Sequence, residues 1–382
     1  MDFTFSEELS LLRAMVRQFA DQEIRPLAAE IDEKHEIPRA LLSKLAELGL
    51  FGVPFPEELG GGGLGEMGYC VEAEELTRAD FSVAVTVGAS SSIGGMAIYL
   101  GGNDEQRKKW IPKIASGELM GCYALTEAES GSDPASMRTT AVRDGNDWVI
   151  NGSKIWITNG DFADLITLFA TTDRTKGSHG ISCFVVERER KGVRAGPREK
   201  KMGQCGSATC PLYFEDVRVP DANRIGGVGE GFRIAMRTLD RGRLGLGGNC
   251  LGAAKECLAL ATKYAKERIQ FGKPIAENQA IQMYLADTAA EIFAVESALY
   301  RTAWMCDQGV PFSRESAIVK LASSECLDRA ADRAVQVHGG MGYSRDYAVE
   351  RWYRDARVNR IYEGTNEIQR LVIARDVLKK GL

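Results

Sequence analysis

Apolar positions recur at helical spacing through the first third of the chain. Phe5, Leu9, Leu12, Val16 and Phe19 share one helical face, and Leu41, Leu42, Leu45 and Leu48 make the buried stripe of a second helix. Pro38 in its first turn and Gly49 just past its end bracket that helix in the usual asymmetric way. Helical patterning resumes up to Thr77, from Ser82 to about Leu100, and from Asp104 to Ser116, with Asn103 or Asp104 as cap. Near Gly121 the pattern changes to short β-rich runs: Cys122–Leu125, Thr140–Arg143, Trp148–Ile150, Lys154–Thr158, Leu165–Ala170, Ile181–Val186, Leu212–Phe214 and Val217–Val219. Turn chemistry such as Asp144-Gly145-Asn146-Asp147 and Asn151-Gly152 separates them, which predicts a small β-barrel or sandwich. Past the glycine-rich stretch Gly226–Gly231, long helical patterns cover Gly231 to Arg268, Glu277 to Asp307, Ser313 to Val337 and Asn366 to Lys379. Four long helices with short connections predict an antiparallel bundle.

The expected architecture is multi-domain α+β. An N-terminal all-α domain spans 1–120, a central β-barrel domain 121–229 and a C-terminal four-helix-bundle domain 230–382. The run Gly60-Gly61-Gly62-Gly63-Leu64-Gly65 satisfies G-x-G-x-x-G, but it follows Pro-Glu-Glu-Leu rather than a strand. Without a βαβ unit around it, the run reads as a loop.

Composition narrows the function classes. Of 382 residues, 44% are hydrophobic and 26% charged, as in globular proteins with a sizeable core. A net charge of −5 argues against nucleic acid as the main partner. The acidic start Met1-Asp2-Phe3-Thr4-Phe5-Ser6-Glu7-Glu8 is unlike a secretory or transit segment, and no run reaches roughly 18 uninterrupted apolar residues, so no membrane span is expected. The nine cysteines are scattered and odd in number, which points to reduced thiols and a cytoplasmic setting. His35, His179 and His338 are the three histidines, too few for a His-rich metal site; no metal is expected.

The stretch Arg360-Ile361-Tyr362-Glu363-Gly364-Thr365-Asn366-Glu367-Ile368-Gln369-Arg370 places a carboxylate just ahead of a helix. Thr365 or Asn366 can cap that helix, with Asn366 and Gln369 at capping-box spacing. A turn that aims Glu363 and a helix that fixes it would suit a general base. On local chemistry alone a solvated loop carboxylate is the commoner case.

Five stretches change that balance. Tyr123-Ala124-Leu125-Thr126-Glu127-Ala128-Glu129-Ser130-Gly131-Ser132-Asp133 and Asn151-Gly152-Ser153-Lys154-Ile155-Trp156-Ile157-Thr158-Asn159 closely resemble signatures of the acyl-CoA dehydrogenases. So do Glu267-Arg268-Ile269-Gln270-Phe271-Gly272-Lys273-Pro274, Gln336-Val337-His338-Gly339-Gly340-Met341-Gly342-Tyr343 and Tyr362-Glu363-Gly364-Thr365, in the family's order and spacing. The resemblance spans essentially the whole chain, and the family's fold has the same helical, β, helical order.

The resemblance implies FAD as cofactor and an acyl-CoA thioester as substrate, converted to the trans-2-enoyl-CoA. It makes Glu363 the base for the α-proton, with hydride passing to flavin N5. Negative charge developing on the thioester oxygen needs placed donors; in the family these are the backbone N–H of the catalytic Glu and a flavin ribityl hydroxyl. Burial against substrate is expected to raise the pKa of Glu363 toward working pH. Tyr123, Leu125, Thr126, Gly131 and Ser132 match the strand and turn facing the flavin, Ser132 also lying near the pantetheine. Trp156 and Thr158 match flavin-ring contacts. Arg268 matches an arginine that pairs with FAD pyrophosphate from a neighbouring subunit, followed by Phe271 and Gln279. Gln336, Gly339 and Gly340 match the loop over the adenosine half, where His338 reads as loop structure, and Thr365, Asn366 and Glu367 match the FAD-contacting start of the last helix. Asp240, Arg243, Tyr362 and Gly364 match positions that touch the acyl-CoA.

Some family members carry the base on the helix beginning near Asp240; here the equivalent position is Gly242, which leaves the role to Glu363. Glutaryl-CoA dehydrogenases place an arginine near Ala84, yet Phe81 to Leu100 contains neither Arg nor Lys, so a dicarboxyl substrate is disfavoured. Val83, Val85, Val87, Ile93, Met96 and Ile98 make that helix apolar, and the run Thr238-Leu239-Asp240-Arg241-Gly242-Arg243 most resembles the short-chain, butyryl-type branch. A short straight, branched or cyclic acyl group is therefore expected, with electron-transferring flavoprotein as acceptor and a homotetramer as assembly. The alternatives are a glutaryl- or cyclic carboxyl-CoA dehydrogenase, or an oxygen-reducing flavin oxidase of the same fold.

Overall fold

The computed structural model describes residues 4–380. The N-terminal region is helical: α1 (Glu7–Phe19), α2 (Ala28–Lys34), α3 (Arg39–Glu47), α4 (Gly65–Thr77), α5 (Phe81–Gly88), α6 (Met96–Gly101) and α7 (Asp104–Ala115). Leu12 and Val16 of α1 are buried with Leu41 and Leu45 of α3 in one apolar cluster. Asn103 caps α7 through a full capping box with Gln106. A π-helical segment, Ala89–Gly95, joins α5 to α6 in one continuous run. That run, Phe81–Gly101, is long and apolar enough to cross a bilayer by composition, contrary to the sequence-based expectation. In the fold 78% of its most apolar window is buried inside the protein, as in a core helix. Gly60 to Gly63 form the expected loop, but Gly65 already opens α4.

The central region contains β1 (Gly121–Ala124), β2 (Thr140–Asp144), β3 (Asp147–Thr158), β4 (Leu165–Thr171), β5 (Ile181–Glu187), β6 (Val193–Ala195), β7 (Thr209–Pro220) and β8 (Arg224–Ile225). They pair in the order β6-β7-β3-β2-β4-β5-β8, with β1 added to β4 in parallel. The expected closed barrel is not formed; the sheet is open and mixed. Closure needs its two ends to hydrogen-bond, and these ends are strands of three and two residues that pair only inward. The edge of β4 is also divided, because β1 takes Leu165 to Leu168 and leaves β2 one pairing, Thr140 with Thr171.

A second correction concerns Asn151-Gly152, which lies inside β3 as an irregularity rather than a turn. The register with β7 shifts between Ile150 and Gly152, and a Cβ at Gly152 would meet Thr139 Oγ1 at 2.5 Å. Asn151 instead bridges to Asp216 of β7, accepting from its backbone N–H at 2.8 Å and donating to its carboxylate at 3.0 Å. Two pairs of expected strands thus merge into β3 and β7. Buried side chains of β4 alternate: Leu165 and Phe169 pack toward α6 and α7, whereas Ile166, Leu168 and Ala170 pack toward β3 and β7.

The C-terminal region is a helix bundle of α8 (Gly231–Glu267), α9 (Gln279–Asp307), α10 (Ser313–His338) and α12 (Asn366–Lys380), with a short α11 (Val349–Ala356) before the last helix. Periodicity did not reveal α11. Leu244, Leu251, Leu299, Leu327 and Trp352 share its core. Helix α4 also packs along α8, where a Cβ at Gly248 or Gly252 would meet α4 backbone oxygens at 2.8 and 2.1 Å. That close approach carries the N-terminal helices to the mouth of the bundle, beside residue 363.

Candidate active site

Glu363 and Gly364 adopt left-handed backbone, with φ of 55° and 90°. For Glu363 that conformation carries strain, which the surroundings must hold in place. Gln369, fully buried, donates from Nε2 to the carbonyl oxygens of Glu363 at 3.3 Å and Gly364 at 2.9 Å. Arg243 Nε donates to the same Glu363 carbonyl at 3.3 Å. Thr365 is the cap of α12, accepting from Ile368 N–H at 3.3 Å. Asn366 is committed elsewhere: its Oδ1 accepts from Lys320 Nζ at 2.8 Å and its Nδ2 donates to Ser324 Oγ at 3.0 Å. The Glu363 N–H has no hydrogen-bond partner among the described residues.

Residue 363 is half-buried as a whole, but its carboxyl end is enclosed, and Oε2 is buried without a hydrogen-bond partner. Burial pushes the carboxyl up to about 7, against the opposing pull of Arg243 and Lys320. The lone oxygen points across to α8, where a Cβ on Gly242 would lie 2.8 Å from Oε2 and 3.0 Å from Ile93 Cγ2. Position 242 therefore makes room for the carboxylate. Asp240 and Arg243 form an ion pair of 2.7 Å, and burial raises the Asp240 carboxyl despite that partner. Arg243 thus braces the turn as well as lining the site.

On the β side, Ile155 N–H donates to the Thr126 carbonyl at 2.9 Å and joins the two central motifs directly. Trp156 follows with φ of 59°, which swings its indole outward to 57% exposure, and Thr158 is half-buried beyond it. Leu125 is buried, and Tyr123 Oη donates to the Ala235 carbonyl at 3.4 Å. Behind this face Lys154, fully buried, pairs with Glu127 at 2.7 Å and donates to the Leu125 carbonyl at 3.0 Å. Burial drags Lys154 down to about 8, while Lys154 and the backbone N–H groups of Arg138 and Thr139 hold Glu127 ionised although burial opposes it. Gly131 and Ser132 are exposed in the following loop, and a Cβ at Gly131 would meet nothing within 4 Å. An outward indole, nearby hydroxyls and open backbone fit a planar ring with polar edges, as FAD has.

The remaining cofactor candidates lie apart from this cluster. Phe271 and Gly272, with φ of 52° and 81°, turn a two-stranded ribbon of Ile269–Gln270 and Lys273–Pro274, and Phe271 is 98% exposed. Arg268, Gln279, Gln336, Gly339, Gly340 and Glu367 are also exposed. Arg268 has no side-chain hydrogen bond or ion pair among the described residues, whereas Glu367, in the first turn of α12, bonds through its side chain to Thr365 beside Glu363. His338 ends α10 rather than lying in a loop; its Nδ1 is 2.7 Å from the Ala334 carbonyl and its ring stacks on Tyr264. No cluster of metal-ligating side chains occurs among the described residues.

Three neighbours of the site escaped sequence reasoning. Lys320 is fully buried within reach of Glu363, and burial lowers it to about 8. Its signal is a lysine on the apolar face of α10, beside Val319 and Ala317. Gln204 Nε2 donates to Tyr362 Oη at 3.4 Å, and Tyr362 donates to Asn359 Oδ1 at 2.8 Å. Tyr69 of α4 packs its ring against Gly245 of α8 and Gly88 of α5 and carries no motif.

Three family descriptions match the chain: acyl-CoA dehydrogenase N-terminal domain over residues 6–118, middle domain over 122–217 and C-terminal domain over 229–378. An acyl-CoA dehydrogenase of Bacillus subtilis is 44% identical over 373 residues, covering 98% of this chain and 98% of that one. An acryloyl-CoA reductase (NADH) of Anaerotignum propionicum is 42% identical, covering 100% and 97%. The structure of butyryl-CoA dehydrogenase from Megasphaera elsdenii superposes with a TM-score of 0.97 at 38% identity, covering 99% and 100%. With this similarity along its whole length, the chain belongs to the acyl-CoA dehydrogenase family and is an FAD-dependent oxidoreductase of acyl-CoA.

Proposed function

We propose that this enzyme dehydrogenates a short, uncharged acyl-CoA to the trans-2-enoyl-CoA, with Glu363 as the base. The observation that carries the reading is the enclosed Glu363 Oε2, which has no internal partner and faces the space left by Gly242. A carboxylate with no internal partner is free to accept a proton from a bound molecule. FAD, when bound, supplies acceptance of the β-hydride. The chain supplies the rest. Oε2 takes the α-proton as the α-C–H bond breaks, and the electron pair forms the new double bond as hydride leaves the β-carbon. The unpartnered Glu363 N–H is oriented by the grip of Arg243 and Gln369 on the adjoining carbonyl, and it would stabilise charge on the thioester oxygen. Trp156 and Thr158 would hold the ring, with Lys154 and Glu127 fixing the loop beside it.

The small acyl group is supported by the apolar, cation-free run from Phe81 to Leu100 and by likeness to proteins named for butyryl-CoA and acryloyl-CoA. Electron-transferring flavoprotein is the proposed acceptor. A homotetramer is supported by the outlying exposed set Arg268, Phe271, Gln279, Gln336, Gly339 and Gly340, which would complete a cofactor site on another subunit. A cytoplasmic setting is supported by nine free cysteines. The test is anaerobic bleaching of the purified flavoprotein by a panel of straight, branched, cyclic and dicarboxyl acyl-CoA thioesters. Butyryl-CoA should bleach it, and electron-transferring flavoprotein should reoxidise it faster than oxygen. Bleaching only by glutaryl-CoA, faster reoxidation by oxygen, or bleaching by NADH instead of acyl-CoA would overturn the reading.

A further inference from the structure

We propose that Tyr69 forms the floor of the acyl pocket and limits the substrate to short chains. The inference rests on the reading of Glu363 as base, and it follows from three glycine positions. Gly242 faces the Glu363 carboxylate and Ile93. One turn further along α8, a Cβ on Gly245 would overlap Tyr69 Cε1 at 2.2 Å. On α5, a Cβ on Gly88 would stand 2.6 Å from Tyr69 Oη. The ring is therefore wedged between α5 and α8, and the missing side chains at 88 and 245 are its seat. It is 5% exposed. Its hydroxyl has Ser92 as a partner, and the Glu363 charge acts on it directly.

The step from Gly242 to Gly245 along the helix axis is only ~4.5 Å, a little less than one full turn. A thioester whose α-carbon sits at Glu363 thus has space for a few carbons before meeting the Tyr69 ring. The lateral wall is Ile93, from the π-helical segment. A longer chain would have to displace a ring that two helices hold.

The readout is the ratio of kcat/KM for octanoyl-CoA to that for butyryl-CoA, measured on FAD-loaded enzyme so that any general loss of activity cancels. Tyr69→Ala should raise the ratio roughly tenfold or more, the scale on which apolar pockets discriminate chain length. Tyr69→Leu should raise it less, and it serves if the alanine variant does not retain FAD. A ratio unchanged in a variant that still binds FAD and turns over butyryl-CoA would overturn the proposal. Failure of the unaltered enzyme to be bleached by any acyl-CoA would instead overturn the underlying reading of Glu363.

Discussion

Gly242 and Glu363 occupy one volume between them: a Cβ on the glycine would stand 2.8 Å from the carboxylate Oε2. The absence of a side chain on α8 is thus what allows a carboxylate to sit on the turn before α12. Gly242→Ala should crowd the carboxylate off its position. Overpacking of this kind costs ~1–3 kcal/mol, which at the reacting centre corresponds to a loss of roughly 5- to 150-fold in the rate of flavin bleaching. Stopped-flow bleaching by butyryl-CoA, with FAD content checked by absorbance, measures it. A rate within twofold of the unaltered enzyme would show that the base does not need this space.

The carboxyl of Glu363, raised to about 7 by burial, must be ionised to accept a proton. In the free enzyme kcat/KM should therefore rise with pH through about 7. Glu363→Gln should lose roughly 10²–10⁴-fold in rate and lose that rising limb, while still binding FAD and acyl-CoA. Retention of the same limb in the glutamine variant would assign the ionisation to another group.

The helices α8, α9, α10 and α12 were legible almost to the residue because each buries one stripe and ends at glycine, asparagine or a short polar turn. The β region was legible as strands but not as a sheet. Asn151-Gly152 has turn chemistry, yet Asp216 across the sheet satisfies its polar groups and keeps β3 extended. Closure was also illegible, because whether a sheet joins its own ends depends on the partners of its edges, which no single strand encodes. At the site, Glu363 and Arg243 were found through motifs. Lys320 and Tyr69 were missed because their meaning comes from helices packed across the fold, and glycines at 88 and 245 make sense only once the ring between them is seen.

The buried Lys154–Glu127 pair holds the strand and loop that carry Leu125, Thr126 and Ser132. Lys154→Met would leave Glu127 enclosed without its cation, and breaking one side of a buried pair costs ~3–5 kcal/mol. The variant should show a markedly lower Tm and weaker retention of FAD. The double variant Lys154→Met, Glu127→Leu should recover much of the stability, since no charge is then stranded. Thermal unfolding of all three proteins checks this; equal Tm values for the single and double variants would mean the pair acts only through packing.

Glu72 of α4 is 0% exposed, and neither carboxylate oxygen has a hydrogen-bond partner. Burial alone raises its carboxyl well above the ordinary range, so in the folded protein it is held protonated. The unfolded chain releases that proton at the usual carboxylate pH, whereas the folded chain retains it. The folded state is consequently favoured most below the unfolded pKa, and this contribution is lost as pH rises from there toward the raised folded value. Glu72→Gln removes the ionisation while keeping the shape. The variant should be more stable than the unaltered protein at pH 8, and the difference should shrink or reverse toward pH 4. Denaturant unfolding at both pH values measures it. A stability difference independent of pH would show that Glu72 finds a charge partner in the folded protein and is ionised there.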